Sequence, residues 1–306
     1  MKKLNFIYKV RYSFSQPIYE HCFALRILPE TNEEQGIYAT EYHIFGGNSC
    51  CEEESSNSPI DRRSAWEYAE GHGSVPGRDG FDNRLIAGRI PEPHDWFSFS
   101  VTGTAYTRRD RLRKRASKYH PIYRFPTDLT RAGDAVHALY EKNHAYVHRE
   151  AAAYAPFPGG EARGRAIQWM YVLKEALSYV PGVTDIRTTA EEALAGGSGV
   201  CQDYAHILIA LLRLDGIPAR YIAGMLIGEG ATHAWCEAWC EGYWMGLDPT
   251  HGCWLTDDYI EIAGGRDYRD CIMDRGIFRG YALQSQEVYV KVEEQQPAQV
   301  GRLGIL

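Results

Sequence analysis

Apolar residues recur at every second position from Leu4 through Phe6, Tyr8 and Val10 to Tyr12, which is the period of a half-buried strand. A second such run, Cys22 to Leu28, stops at Pro29. The chain therefore opens in β structure. From Gly46 to Gly80 the pattern dissolves into glycine, serine, asparagine and acidic residues, which predicts a long surface excursion around one short helical patch near Trp66. Strand alternation returns at Trp96 to Tyr106, where Phe97, Phe99, Val101 and Gly103 alternate with polar partners. These segments predict a β-rich N-terminal domain over 1–120, ending near Tyr119-His120-Pro121.

Beyond that point the apolar period becomes helical. Helices are predicted over Asp128 to Tyr146, over Ala166 to Tyr179 before Pro181-Gly182, and over Thr189 to Ala195 before Gly196-Gly197. A central helix runs from about Val200 to Leu214 and stops at Gly216 and Pro218. Strands follow at Ala219 to Ile227, His233 to Cys240 and Tyr243 to Leu247, and a last alternating strand carries Val288, Val290 and Val292. Helices first and antiparallel strands after predict an α+β second domain over 121–306.

Composition narrows the partners. The chain has 306 residues, enough for two domains, and its net charge of −7 argues against a general polyanion binder, whose affinity rests on neutralising phosphates. No nucleic-acid partner is expected. Lys9 and Arg11 interrupt the opening apolar run before it reaches the length of a signal-peptide core, and Arg213 breaks the longest apolar stretch, Ile207 to Leu214. The expectation is a cytoplasmic protein with no membrane partner and with its eight cysteines mostly as free thiols.

Three residues carry candidate chemistry. Cys201 stands at the first turn of the central helix, where unpaired backbone N–H groups and the helix dipole favour a negative sulfur. Gly196, Gly197 and Gly199 upstream allow a tight turn, and the Cys201 N–H is a candidate oxyanion donor. A two-residue turn at Glu241-Gly242 pairs residue 248 with residue 235, so Asp248 and His233 become diagonal neighbours on one sheet face, about 7–8 Å apart along the backbone. Cys201, His233 and Asp248 then read as thiol nucleophile, base and orienting carboxylate. A free thiol is only a few per cent ionised at pH 7, so complete ionisation amounts to about 2 kcal/mol. Enzymes lower their barriers by about 8 kcal/mol or more, so most of the rate must come from carbonyl positioning and oxyanion stabilisation.

Other residues compete. His206 lies five residues along the helix from Cys201, about 140° away around its axis, and is expected to pack. His251 stays open as an alternative base. Cys236 and Cys240 share a strand face but stand about 13 Å apart, too far to hold one zinc together, so no metal site is expected there. The run Arg108 to Lys118, with seven cations and one acid, is read as a solvated linker face.

Taken together these motifs resemble the bacterial transglutaminase-like (papain-superfamily) cysteine proteins with a β-rich N-terminal domain. The resemblance rests on Gly199-Val200-Cys201-Gln202-Asp203-Tyr204-Ala205-His206, Gly216-Ile217-Pro218-Ala219-Arg220-Tyr221, Thr232-His233-Ala234-Trp235, Asp248-Pro249-Thr250 and Gly265-Arg266-Asp267-Tyr268. In the first domain it adds Leu25-Arg26, Leu28-Pro29, Gln35 and Asp79-Gly80-Phe81-Asp82-Asn83. Ser198, Asp82 and Met273 depart from the family's usual arginine, glycine and proline, and 46–78 reads as an insertion. The resemblance implies a papain-like transglutaminase core, helices packed on an antiparallel sheet, with Cys201, His233 and Asp248 as its triad and no metal or cofactor. It also implies that Arg220 and Arg266 to Tyr268 are architectural. The expected activity is thioester formation at Cys201 from a peptide or isopeptide amide, with the acyl group passed to water (protease or amidase) or to an amine (transglutaminase). The alternative is a non-catalytic peptide-binding or scaffold module retaining the fold.

Overall fold

The computed structural model describes residues 1–48, 65–67, 74–109 and 120–295. Its first sheet is built around one strand, β1 (Lys2–Leu25), whose alternating residues Leu4, Phe6, Tyr8, Val10, Phe14 and Ile18 are buried. At Glu20, with φ 52°, the register slips, and the buried face passes to His21, Phe23 and Leu25. The two strand runs expected from the sequence are thus one bent strand. Around it stand β2 (Gln35–Gly47), β3 (Ala65–Glu67), β4 (Ser74–Arg78), β5 (Arg84–Ile90) and β6 (His94–Thr107). Trp66, expected in a helical patch, lies instead in β3, paired with Gly46. The rest of that excursion between 49 and 73 lies outside the described residues.

The second half begins with α1 (Asp134–Ala151) and α2 (Gly160–Ala176). Helix α1 starts six residues later than expected. Its N-terminal N–H groups are capped from outside: the Glu191 carboxylate accepts from the backbone N–H of Gly133, Ala135 and Val136 at 3.0, 2.6 and 3.1 Å. The predicted helical end at Ser178-Tyr179 is a short strand, β7 (Ser178–Tyr179). After α3 (Ala190–Gly196), it pairs in parallel with β8 (Ser198–Gly199) and so holds the segment leading into α4 (Cys201–Leu214).

Ten of the fourteen residues of α4 are buried, from Asp203 to Leu212. Each large apolar side chain among them contributes about 1.5–3 kcal/mol, so burial places this helix more firmly than propensity does. It packs on the antiparallel sheet of β9 (Ala219–Leu226), β11 (His233–Cys240), β12 (Tyr243–Asp248), β13 (Cys253–Trp254) and β14 (Tyr259–Gly265), in the order β13-β12-β11-β9-β14.

The remaining strands, β10 (Gly228–Gly230), β15 (Asp274–Arg279) and β16 (Gln284–Glu294), all join the first sheet. In particular, Val288, Val290 and Val292 pair with Val10, Tyr8 and Phe6 of β1. The first sheet thus draws on both ends of the chain, and segment 121–306 does not keep to its own sheet. One continuous apolar cluster, from Leu4 through α4 to Val292, joins the two sheets.

Two side-chain amides complete that junction. Gln35 donates to the Glu261 carbonyl and accepts from the Glu261 N–H, both at 2.8 Å. Asn83 does the same with Gly264, at 3.0 and 2.8 Å. Each amide presents the donor and acceptor that a neighbouring strand would, and so covers the open edge of β14. Arg26, bonded to Asp79 and to the Ile272 carbonyl, fixes the loop that delivers Asn83. Of the basic run, only Arg108 and Arg109 are described. Arg109 is a buried partner of Glu34. No helix among the described residues is long and apolar enough to cross a membrane.

Candidate active site

The β11–β12 turn has the two residues expected, Glu241 and Gly242, both with positive φ (49° and 106°), the combination that matches the twist of a hairpin. Pairing runs from Cys240↔Tyr243 to Cys236↔Leu247, and one more step sets Asp248 opposite Trp235. His233 and Asp248 therefore share a face, and His233 Nε2 donates to Asp248 Oδ2 at 2.7 Å. The other ring nitrogen, Nδ1, makes no bond to Asp248, and Cys201 lies near enough to the ring to act on its protonation.

Asp248 is fully buried and takes five donors. Oδ2 accepts from His233, from His251 Nδ1 at 2.7 Å and from the Tyr259 hydroxyl at 2.9 Å. Oδ1 accepts from the backbone N–H groups of Thr250 and His251, at 2.9 and 3.2 Å. Burial alone would favour the protonated acid, but the bonds from His233 and His251 outweigh it and hold the carboxyl well below the usual carboxylate range.

His233 is shifted the other way. Burial favours its neutral ring, yet the hydrogen bonds and negative charge of Asp248 and Cys201 prevail, and its pKa rises from 6.5 to about 9. The ring is thus a cation at neutral pH, beside the sulfur. His251 shares Asp248 but is half exposed, and it is the ring of His233 on which Cys201 acts. His206 is wholly buried, accepts from the Tyr268 N–H at 3.1 Å, and is kept neutral by burial, its pKa pushed down to about 3.

Cys201 is the first residue of α4, so the helix leaves its N–H without an intrahelical partner. Asp203 secures this end of the helix: its Oδ2 accepts from the Val200 N–H at 2.8 Å and from the Thr184 hydroxyl at 2.6 Å. Gly199 lies against that carboxylate, and a Cβ there would sit 2.7 Å from the Asp203 side chain. Behind the histidine, Trp235 and Tyr259 meet edge to face at 5.5 Å. Gly224, paired with His233, leaves room for that indole; a Cβ would come within 2.4 Å of it.

Tyr259 and Asp203 were not picked out by sequence reasoning. Asp203 signals itself only as an acid in a first helical turn, and Tyr259 reaches Asp248 through two intervening strands. The architectural reading of the arginines agrees with their contacts: Arg220 pairs with Glu237 at 2.5 Å, and Arg266 with Asp270 at 2.8 Å. Cys236, Cys240 and Cys271 are buried, and burial pushes all three thiols up.

Comparison with known proteins places this core. Residues 157–249 match the Transglutaminase-like superfamily. An uncharacterized protein of Mycobacterium leprae is 38% identical over 129 residues, covering 39% of this chain and 46% of that one. An uncharacterized protein of Mycobacterium tuberculosis is 40% identical over 116 residues, covering 33% and 37%. The matches thus span less than half the length of these curated relatives. A protein-glutamine gamma-glutamyltransferase of Pseudomonas aeruginosa is 33% identical over 117 residues, 32% of this chain and 16% of that one. A crystal structure from Cytophaga hutchinsonii, provisionally described as a cysteine protease, superposes with a TM-score of 0.66 over 97% of this chain and 91% of its own, at 20% identity. At that identity it speaks for the fold. The chain carries a transglutaminase-like core behind a β-rich N-terminal region.

Proposed function

We propose that the protein is a cysteine acyl-transfer enzyme acting on peptide or isopeptide amides, with Cys201 as nucleophile, His233 as proton carrier and Asp248 as the group that orients it. The reading rests chiefly on a buried Asp248 hydrogen-bonded to His233, whose ring lies near enough to a cysteine at a helix N-terminus for the two to influence each other.

The Cys201 sulfur attacks the amide carbonyl, and a C–S bond forms as the carbonyl π pair moves onto oxygen. The first-turn N–H of Cys201 is positioned to donate to that oxyanion. His233, charged at neutral pH, gives its proton to the departing nitrogen; the C–N bond breaks and a thioester remains. Water or an amine then attacks the thioester and surrenders a proton to His233. The C–S bond breaks, releasing acid or new amide and restoring the starting pair. Hydrolysis is the favoured outcome, because water is the default acceptor. A cytoplasmic setting belongs to the same proposal, since Cys22, Cys201, Cys236, Cys240 and Cys271 stand as free thiols.

Mass spectrometry of a peptide library or lysate incubated with the wild type and with Cys201→Ala tests the reaction. Cleaved or joined amides are expected with the wild type alone. Equal product lists, or iodoacetamide labelling all cysteines at one rate, would overturn the assignment.

A further inference from the structure

A second cluster of ligating side chains stands at the far end of α4. That helix of 14 residues is about 21 Å long, and Asp215 follows its last residue, a full helix length from Cys201. Tyr140, His144 and His148 lie four residues apart on one face of α1 and meet Asp215 there. His148 Nε2 lies 2.8 Å from Asp215 Oδ1, and His144 Nε2 lies 4.0 Å from the same oxygen. The three ligand atoms all fall within 4.8 Å of one another.

A simple ion-pair network needs only one of these imidazoles. Asp215, its side chain only 1% exposed, already has His148, the Tyr140 hydroxyl at 3.2 Å and Arg165 Nη1 at 3.1 Å. His144 adds no hydrogen bond at 4.0 Å, yet its ring packs 4.1 Å from that of His148 with Nε2 toward the same oxygen. In a tetrahedral site with metal bonds of about 2.0–2.2 Å, ligand atoms stand about 3.4 Å apart. The observed 2.8 and 4.0 Å bracket that value, so an ion enters if each histidine shifts by about 0.6 Å.

From this convergence we infer a binding site for a zinc-like divalent transition ion, held by His144, His148 and Asp215. Two imidazoles and one carboxylate select such an ion over calcium or magnesium, which take oxygen ligands. Arg165, bonded to both the carboxylate and the backbone carbonyl of Asp215, orients the acid from behind. Both histidines are partly exposed, at 43% and 38%, which leaves the fourth position to water. The ion pins the C-terminal end of the nucleophile helix to α1.

Zinc titration of the full chain, stripped with chelator and followed by calorimetry, tests the site. One zinc per chain is expected, with a higher melting temperature in its presence. His144→Gln should weaken binding at least about tenfold and leave the zinc-free melting temperature unchanged, because His144 makes no hydrogen bond to lose. His251→Gln, which alters the other histidine–aspartate cluster, should leave the affinity as it is. No saturable binding, binding indifferent to His144→Gln, or binding abolished by His251→Gln would each overturn the assignment.

Discussion

Asp248→Asn removes a charge from the proposed triad while keeping its shape, and the size of its effect follows from His233. The rise from 6.5 to about 9 corresponds to about 3 kcal/mol, on the order of a few hundredfold in proton affinity. Burial opposes the rise, and Asp248 contributes more than Cys201 both by hydrogen bond and by charge. Losing the carboxylate should therefore take away more than half of it, about 2 kcal/mol, and move the ring's titration midpoint down by more than about one pH unit. The sign for stability follows from linkage. A histidine whose folded pKa is raised stabilises the fold fully below pH 6.5 and loses that contribution as pH rises through about 9. The stability gap between wild type and variant should accordingly narrow over that window by about 2 kcal/mol. Ring resonances of His233, assigned with His233→Gln, measure the midpoint, and urea unfolding at either end of the window measures the gap. A wild-type ring titrating near 6.5, or a variant ring that fails to move, would refute the reasoning.

Two other substitutions separate the parts. Tyr259→Phe keeps the packing on Trp235 and removes one of the five donors to Asp248, so urea unfolding should show a loss of about 2 kcal/mol. With one competitor gone, Asp248 holds the His233 proton no less tightly, and the ring midpoint should not fall, in contrast to Asp248→Asn. Asn83→Ala strands the N–H and carbonyl of Gly264 at the junction of the two sheets, which should cost about 2–4 kcal/mol in the same assay. A loss under about 1 kcal/mol would mean that water replaces the amide and that the edge of β14 is less enclosed than its contacts indicate.

The candidate site was legible because each of its three residues is specified by a local signal. Glycines before an apolar helix mark where α4 begins and so where Cys201 stands, and a two-residue turn sets the parity that brings His233 and Asp248 to one face. What stayed hidden depends on partners distant in sequence. Helix α1 begins at Asp134 because Glu191, more than fifty residues later, caps it, and no reading of 128–133 alone contains that carboxylate. Ser178-Tyr179 continues the helical pattern of α2, yet pairing with Ser198-Gly199 converts it to strand. Glutamine and asparagine at 35 and 83 carry no sign that their amides stand in for a missing strand. The same division orders the expected consequences of mutation. Changes at locally specified positions act on the protonation of the candidate site with the fold intact, as at Asp248, whereas changes at the remote partners loosen the frame that brings β14, and with it Tyr259, against the site. Asn83→Ala should therefore disturb the His233 titration only under conditions that also begin to unfold the protein, and Asp248→Asn should disturb it in a chain that is otherwise native.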